Sequence, residues 1–511
     1  MKRIKETFLN LFSKYKTTIY SGIIFTFLTH FYYFTKRLAN EDDLSYLLFG
    51  DNAITSGRWN AGTLFTTTLM SPAVKFIFVL LVITLCSILI CDIFKIKSKT
   101  NQILIPLLLA TFPTLALSFS YLFMVEVYMI SLLLSVFAVW ITIKFKYGFI
   151  IGSLSIAFSL GSYQAYISFS VALVIIYIIK EIINKKDSKE LLKTILKLFL
   201  MGILGIVLYF IILNILLKID NLILSDYKGA NSMGIPPINM WPTQLLRTYK
   251  HFIGYFIGFS YYNIPIIEKI FRILILLLSF ILLITKIVKE KLYLNKINII
   301  ILIICLITIP LTFNIVDFMA YKTELSSLQI YNFVALYILC IIIIENNKKN
   351  KILKNIIIIL LILISYINFI DINRHYNKLE TIYSYTENLN NRLLTRIESI
   401  EGYTPDMPIM FIGLDGSNFN KNLYKFPNIN DKLTYDQTLW GGKYIGYADL
   451  YSYKNDKKIF KMIYNQFGVE LIRATEEERE KVIKTKEYKK MGSYPENNSI
   501  KIIDGLLVVN F

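Results

Sequence analysis

Apolar residues in this chain come in long runs separated by short polar joints. Neither the two-residue alternation of a half-buried strand nor the narrow apolar stripe of a soluble helix dominates. Eleven runs stand out, at about 17–35, 72–94, 102–120, 122–143, 147–162, 164–180, 197–217, 264–285, 297–316, 328–345 and 355–372. The longer ones reach roughly 18 to 23 residues, enough for a helix to cross about 30 Å of hydrocarbon. Pro106 and Pro113 interrupt the third run, and proline is tolerated within membrane helices. The pattern predicts a multi-pass α-helical membrane protein with about 11 transmembrane helices, occupying residues 1–372.

Beyond residue 373 the pattern changes to that of a mixed α/β domain, 373–511. Tyr376 to Ile400 reads as a helix, Pro408 to Ile412 as a buried strand ending at Gly413, and Val469 to Arg473 as a second short strand. Thr475-x-x-Glu478 is the signature of a capping box opening a charged helix. Ser499–Ile503 and Leu506–Asn510 flank Asp504-Gly505, a two-residue hairpin signal.

Composition agrees with the membrane reading. The 511 residues are 55% hydrophobic and 18% charged, whereas soluble chains carry about 25% charge. The net charge of +19 is no nucleic-acid footprint, because it lies in short joints between apolar runs. With the N-terminus inside, the inner joints hold 24 Lys and Arg and the outer ones 8, a bias that orients membrane proteins. An odd number of spans then puts the C-terminal domain outside, with two long outer loops at 36–71 and 218–263. The four cysteines fall in or beside apolar runs, so no disulfide framework staples the tail.

Candidate chemistry gathers on the outer side. Asn40-Glu41-Asp42-Asp43 opens the first outer loop. A carboxylate there suits a general base that takes a proton from an attacking hydroxyl; the same acids also suit a helix N-terminus. Neighbouring residues face apart, so at most one of Asp42 and Asp43 reaches a reacting centre. Ser56-Gly57-Arg58-Trp59 follows: Arg58 offers a fork of donors for phosphate, and Trp59 a flat face for a sugar ring. An interfacial tryptophan beside a snorkelling arginine is the alternative.

Glu126 lies just inside an apolar run, where an ionisable residue is a functional candidate by default. Tyr163 and Gln164 sit at a joint between two spans, suited to sugar contacts or to helix–helix hydrogen bonds. Arg247, Lys250 and His251 on the second outer loop suit a phosphate or a cationic interfacial helix. Three scattered histidines give no zinc spacing, and no phosphate-binding glycine loop or dinucleotide fingerprint occurs. Glu41, Asp42 and Asp43 could hold Mg or Mn, or act bare.

Asn40-Glu41-Asp42-Asp43, Gly57-Arg58-Trp59 and Tyr163-Gln164-Ala165-Tyr166 together resemble the GtrII-type glucosyltransferases of bacterial membranes. The ending Met491-Gly492-Ser493-Tyr494-Pro495, Ser499-Ile500-Lys501 and Ile503-Asp504-Gly505 to Val508-Val509 resembles the end of the same family. The resemblance implies a GT-C-type glycosyltransferase in the bacterial cytoplasmic membrane. Such an enzyme takes a sugar, glucose by the family's name, from a polyprenyl-phosphate carrier to a surface glycan on the outer face. It also implies catalysis by the acids of the first outer loop, here Asp42 and Asp43. A lipid-linked sugar flippase and a non-catalytic glycan-binding membrane protein are the competing readings. The former predicts repeat symmetry and deep ionisable residues in several spans.

Overall fold

The structure is a computed structural model and describes residues 10–36, 38–39, 43, 53–63, 71–226, 231, 234–258, 264–323, 325–347, 350–413 and 456–511. It divides into two compact units: Met1–Arg37, Asp51–His375 and Gln437–Gly442 in one, Leu38–Gly50, Tyr376–Asp436 and Lys443–Phe511 in the other.

The first unit is a helical bundle, and all eleven apolar runs fall on helices. Among the described residues seven helices are long and apolar enough to cross a membrane: those containing Pro72–Phe94, Leu122–Lys144, Gln164–Ile183, Ser188–Ile219, Ile266–Lys289, Lys296–Phe313 and the N-terminal part of Lys351–Glu398. Lys99–Thr111 and Pro113–Phe119 meet at a bend of 46° and would make an eighth crossing if taken together. The bend has an identifiable cause, because Pro113 lacks an amide proton and holds Phe112 in an extended conformation. Gly148–Ser162 and Tyr331–Glu345 are shorter apolar helices.

Burial sorts these helices into a centre and a periphery. Pro72–Phe94, Leu122–Lys144 and Gln164–Ile183 have more than 70% of their apolar windows buried, whereas Ser188–Ile219, Ile266–Lys289 and Lys296–Phe313 have under 30%. Exposed rows such as Phe199, Ile203 and Phe210 would cost a soluble protein heavily, and lipid removes that cost. The helix Lys16–Phe34 buries Thr18, Ser21, Gly22, Thr26 and Thr29, a face of small residues that lets backbones approach. Thr18 donates to the Gln102 carbonyl at 3.2 Å, and His30 Nε2 lies 2.7 Å from the Ala110 carbonyl.

The second unit is built on a three-stranded sheet in the order β1-β3-β2, with β1 Ile409–Ile412, β2 Ile500–Ile503 and β3 Leu506–Asn510. β3 pairs parallel with β1 and antiparallel with β2, and Asp504 and Gly505 make the hairpin turn with positive φ. Alternate residues serve two cores. Ile409, Phe411, Leu507 and Val509 pack with Leu389, Leu393, Ile397 and Ile463, while Met410, Ile412, Leu506 and Val508 pack with Ala474 and Val482. Ala39, which follows the helix Lys16–Phe34 in the chain, belongs to the former core.

Val469 to Arg473, expected as a strand, forms only an isolated bridge. Ile409 N donates to Ile472 O at 2.7 Å and Ala474 N to Ile409 O at 3.0 Å. The Arg473 side chain turns instead to Asp456, 2.7 Å away, and that buried carboxylate also receives Arg479. The Thr475–Glu478 capping box is formed in both directions.

Candidate active site

The chain from Ala53 to Thr63 folds as a short 3-10 turn, a glycine pivot and one helical turn. Gly57 adopts a φ of +75°, which a side chain would resist, and a Cβ there would meet the Tyr209 hydroxyl at 2.6 Å. Tyr209, on Ser188–Ile219, donates to the Gly57 carbonyl at 3.0 Å, and Gln164 donates to the Ser56 carbonyl at 3.1 Å. These two bonds fix the pivot, which fixes the next two side chains.

Arg58 lies with its guanidinium carbon 5.1 Å from the centre of the Tyr163 ring, a cation–π placement. Its Nε is buried and makes no hydrogen bond among the described residues. No carboxylate among the described residues forms an ion pair with Arg58. Burial raises the Tyr163 phenol above its ordinary value, and the Arg58 charge pulls the other way. Tyr163 also packs on Tyr128 at 4.6 Å and Tyr166 at 5.8 Å, and Ser131 donates to its carbonyl.

Trp59 is buried, edge-on to Phe158 at 5.1 Å and flat against Gly161, where a Cβ would come within 2.3 Å of the indole. Asn60 donates to Ser162 Oγ at 2.7 Å. Four residues singled out in sequence, Arg58, Trp59, Tyr163 and Gln164, are therefore brought together. Tyr128, Tyr209 and Asn60 complete the wall. Tyr128 and Tyr209 went unrecognised because a tyrosine in an apolar run is also an ordinary packing residue, and Asn60 because a lone amide in a polar loop gives no local signal.

The other candidates lie elsewhere. Glu126 forms a buried ion pair with Lys75 at 3.1 Å, and Lys75 also donates to the Leu122 carbonyl at 2.7 Å. Arg247 and His251 converge on the fully buried Asp317, His251 Nδ1 at 3.2 Å and Arg247 Nε at 3.5 Å. Arg247 further donates to the Asp317 and Ala320 carbonyls, clamping the turn 315–320 onto the helix Trp241–Ile257. Lys250 on the same helix is exposed. Asp43 is fully buried and belongs to the second unit; Glu41 and Asp42 lie outside the described residues. Among the described residues no three His, Cys, Asp or Glu side chains gather as a metal site.

A comparison with protein families matches residues 31–342 to the family described as Glucosyl transferase GtrII. That stretch covers more than half of the chain and contains both motif loops that meet at Arg58 and Tyr163. The chain belongs to the GtrII glucosyl transferase family. No curated protein and no solved structure matches it. Membership in the GtrII family makes this a membrane glycosyltransferase with a sugar donor and an acceptor as substrates. The match ends at residue 342, before the sheet-bearing tail, so the tail's likeness to GtrII proteins rests on its short motifs.

Proposed function

We propose that this protein transfers glucose from a polyprenyl-phosphate carrier to a surface glycan on the outer face of the bacterial cytoplasmic membrane. In this reading residues 1–372 form a GT-C-like domain of about eleven spans, with the N-terminus inside and 373–511 outside. The single observation that carries it is Arg58: a half-buried guanidinium with no carboxylate partner among the described residues, held by Tyr163 beside Trp59 and Gln164. A cation held in this way is short of an anion, and the family supplies one in an activated sugar's leaving group.

The chemistry is a single displacement. A carboxylate of Asp42 or Asp43 takes the proton of the acceptor hydroxyl as its oxygen bonds to the anomeric carbon. The bond from that carbon to the phosphate oxygen breaks, the electron pair leaves with the carrier phosphate, and Arg58 steadies the departing charge. The anomeric centre inverts. Glu41, Asp42 and Asp43 are also the residues that would hold a divalent cation. Gln164, partly exposed beside Arg58, supplies a polar contact for the sugar, while the buried Trp59 and Tyr163 position Arg58.

The test uses purified full-length protein, polyprenyl-phosphate glucose and an acceptor glycan. Asp42→Asn and Asp43→Asn are compared with the parent, with folded protein quantified by size-exclusion chromatography. At least one variant loses transfer while staying folded, and the product's linkage is inverted relative to the donor. Full activity in both variants, or retention of configuration, overturns the mechanism.

A further inference from the structure

A cavity of about 710 Å³ opens at the opposite end of the helices from Arg58, where Phe94, Ile183, Lys289 and Glu345 end or border their helices. Among the described residues six lysines line it, Lys95, Lys97, Lys180, Lys185, Lys286 and Lys289, against three glutamates. Glu181 takes Lys180 at 2.6 Å, and Glu290 takes Lys286 at 2.7 Å and Lys185 at 3.5 Å. The third, Glu345, is occupied otherwise. It accepts from the backbone of Lys97 and Ser98 and from the Asn101 amide, at the start of the helix Lys99–Thr111. Lys95, Lys97 and Lys289 are thus left with no carboxylate partner among the described residues.

Lysines at helix C-termini are expected from the helix dipole and from membrane orientation alone. Two further features exceed that expectation. The cationic side chains converge on one concavity rather than spreading over a surface. Lys95 and Lys185 also hold φ angles of 55° and 60°, a conformation in which glycine or asparagine is the ordinary choice. Beside Lys289, the helix Ile266–Lys289 exposes Leu277, Phe280, Ile284 and Val288, an apolar track leading to the rim.

We infer that this cavity binds a phosphate-bearing anion, the favoured source being a phospholipid whose headgroup enters it while its chains lie along Ile284 and Val288. The combination is that of a basic pocket between membrane helices, which suits anionic headgroups. It is separate from the site around Arg58 and does not depend on the proposed transfer reaction.

The test measures thermal unfolding of the purified full chain in a neutral detergent, titrated with phosphatidylglycerol, phosphatidylcholine or inorganic phosphate. Phosphatidylglycerol raises the midpoint and phosphatidylcholine does not. The triple variant Lys95→Gln, Lys97→Gln, Lys289→Gln requires roughly fivefold more lipid per lysine removed, on the order of a hundredfold in all. The corresponding Lys→Arg variant responds like the parent, which separates charge from folding. Single Lys→Gln variants serve if the triple variant misfolds, each with its own fivefold loss. Stabilisation by inorganic phosphate that the same variants lose supports the site with a soluble anion as its source. Equal effects of the two lipids without a phosphate effect, or an unchanged response in the Lys→Gln variants, overturns the inference.

Discussion

Arg58 and Tyr163 are 105 residues apart in sequence, yet the guanidinium of one sits over the ring of the other at 5.1 Å. The pair joins the loop that follows the first apolar run to the joint between the helices Gly148–Ser162 and Gln164–Ile183. Replacing Arg58 by Ala is expected to lower kcat/KM for sugar transfer by about 10- to 100-fold, the worth of a hydrogen bond to a charged group. Lysine at this position keeps the charge but loses the planar fork, so Arg58→Lys falls between. Steady-state kinetics on detergent-purified protein checks the order.

Gly161 is where the helix Gly148–Ser162 lets the Trp59 indole lie against its backbone. A methyl group there would overlap the ring, and overpacking of this kind costs about 1–3 kcal/mol. Gly161→Ala is therefore expected to lower the thermal midpoint and shift the tryptophan emission. The double variant with Trp59→Phe recovers part of the lost stability, because the smaller ring leaves room.

Lys75 and Glu126 form an ion pair with both side chains at 5% exposure or less. Removing one partner leaves a buried charge, so Lys75→Met is expected to destabilise by about 3–5 kcal/mol. Combining it with Glu126→Leu returns stability close to that of the parent. Transfer activity in the folded double variant then decides whether Glu126 also serves the substrate: full activity assigns it to packing alone.

The tail carries a pH response on its acid side. Hydrogen bonds from the Thr475 backbone and hydroxyl hold the Glu478 carboxyl below its ordinary range. Because the folded value lies below the unfolded one, this contribution is present above the unfolded pKa and is lost as pH falls through the folded value. Glu478→Gln should flatten that part of the stability profile. Thr475→Ala should cost about 1 kcal/mol at neutral pH, the usual worth of a helix cap. Denaturant titrations at several pH values read both effects.

Helices were legible because lipid burial leaves its mark as uninterrupted apolar sequence, and the eleven runs needed no tertiary information to be seen. The capping box and the Asp504-Gly505 hairpin were legible for a similar reason, since each is settled within a few residues. The candidate site was legible only in part. Arg58, Trp59, Tyr163 and Gln164 stood out as chemistry at polar joints, but their meeting is a long-range fact of packing. Lys75 and Asp317 were not singled out, although Lys75 stands inside an apolar run as Glu126 does and Asp317 just past one; what they pair with is known only from packing across the bundle. Val469 to Arg473 had the composition of a strand, but its backbone meets β1 only at Ile409, which makes an isolated bridge.

β1 and its neighbour β3 are nearly a hundred residues apart, with Ile409 opposite Leu507. During synthesis the earlier strand must therefore wait for a partner that emerges nearly a hundred residues later, holding four apolar residues without their ladder. Parallel pairings of such long reach form slowly and leave sticky intermediates. A frameshift or premature stop anywhere between the two strands would strand an adhesive edge rather than merely shorten the protein. Such products are natural prey for membrane proteases, so lesions in this region should register as vanished protein, whatever the tail contributes to transfer.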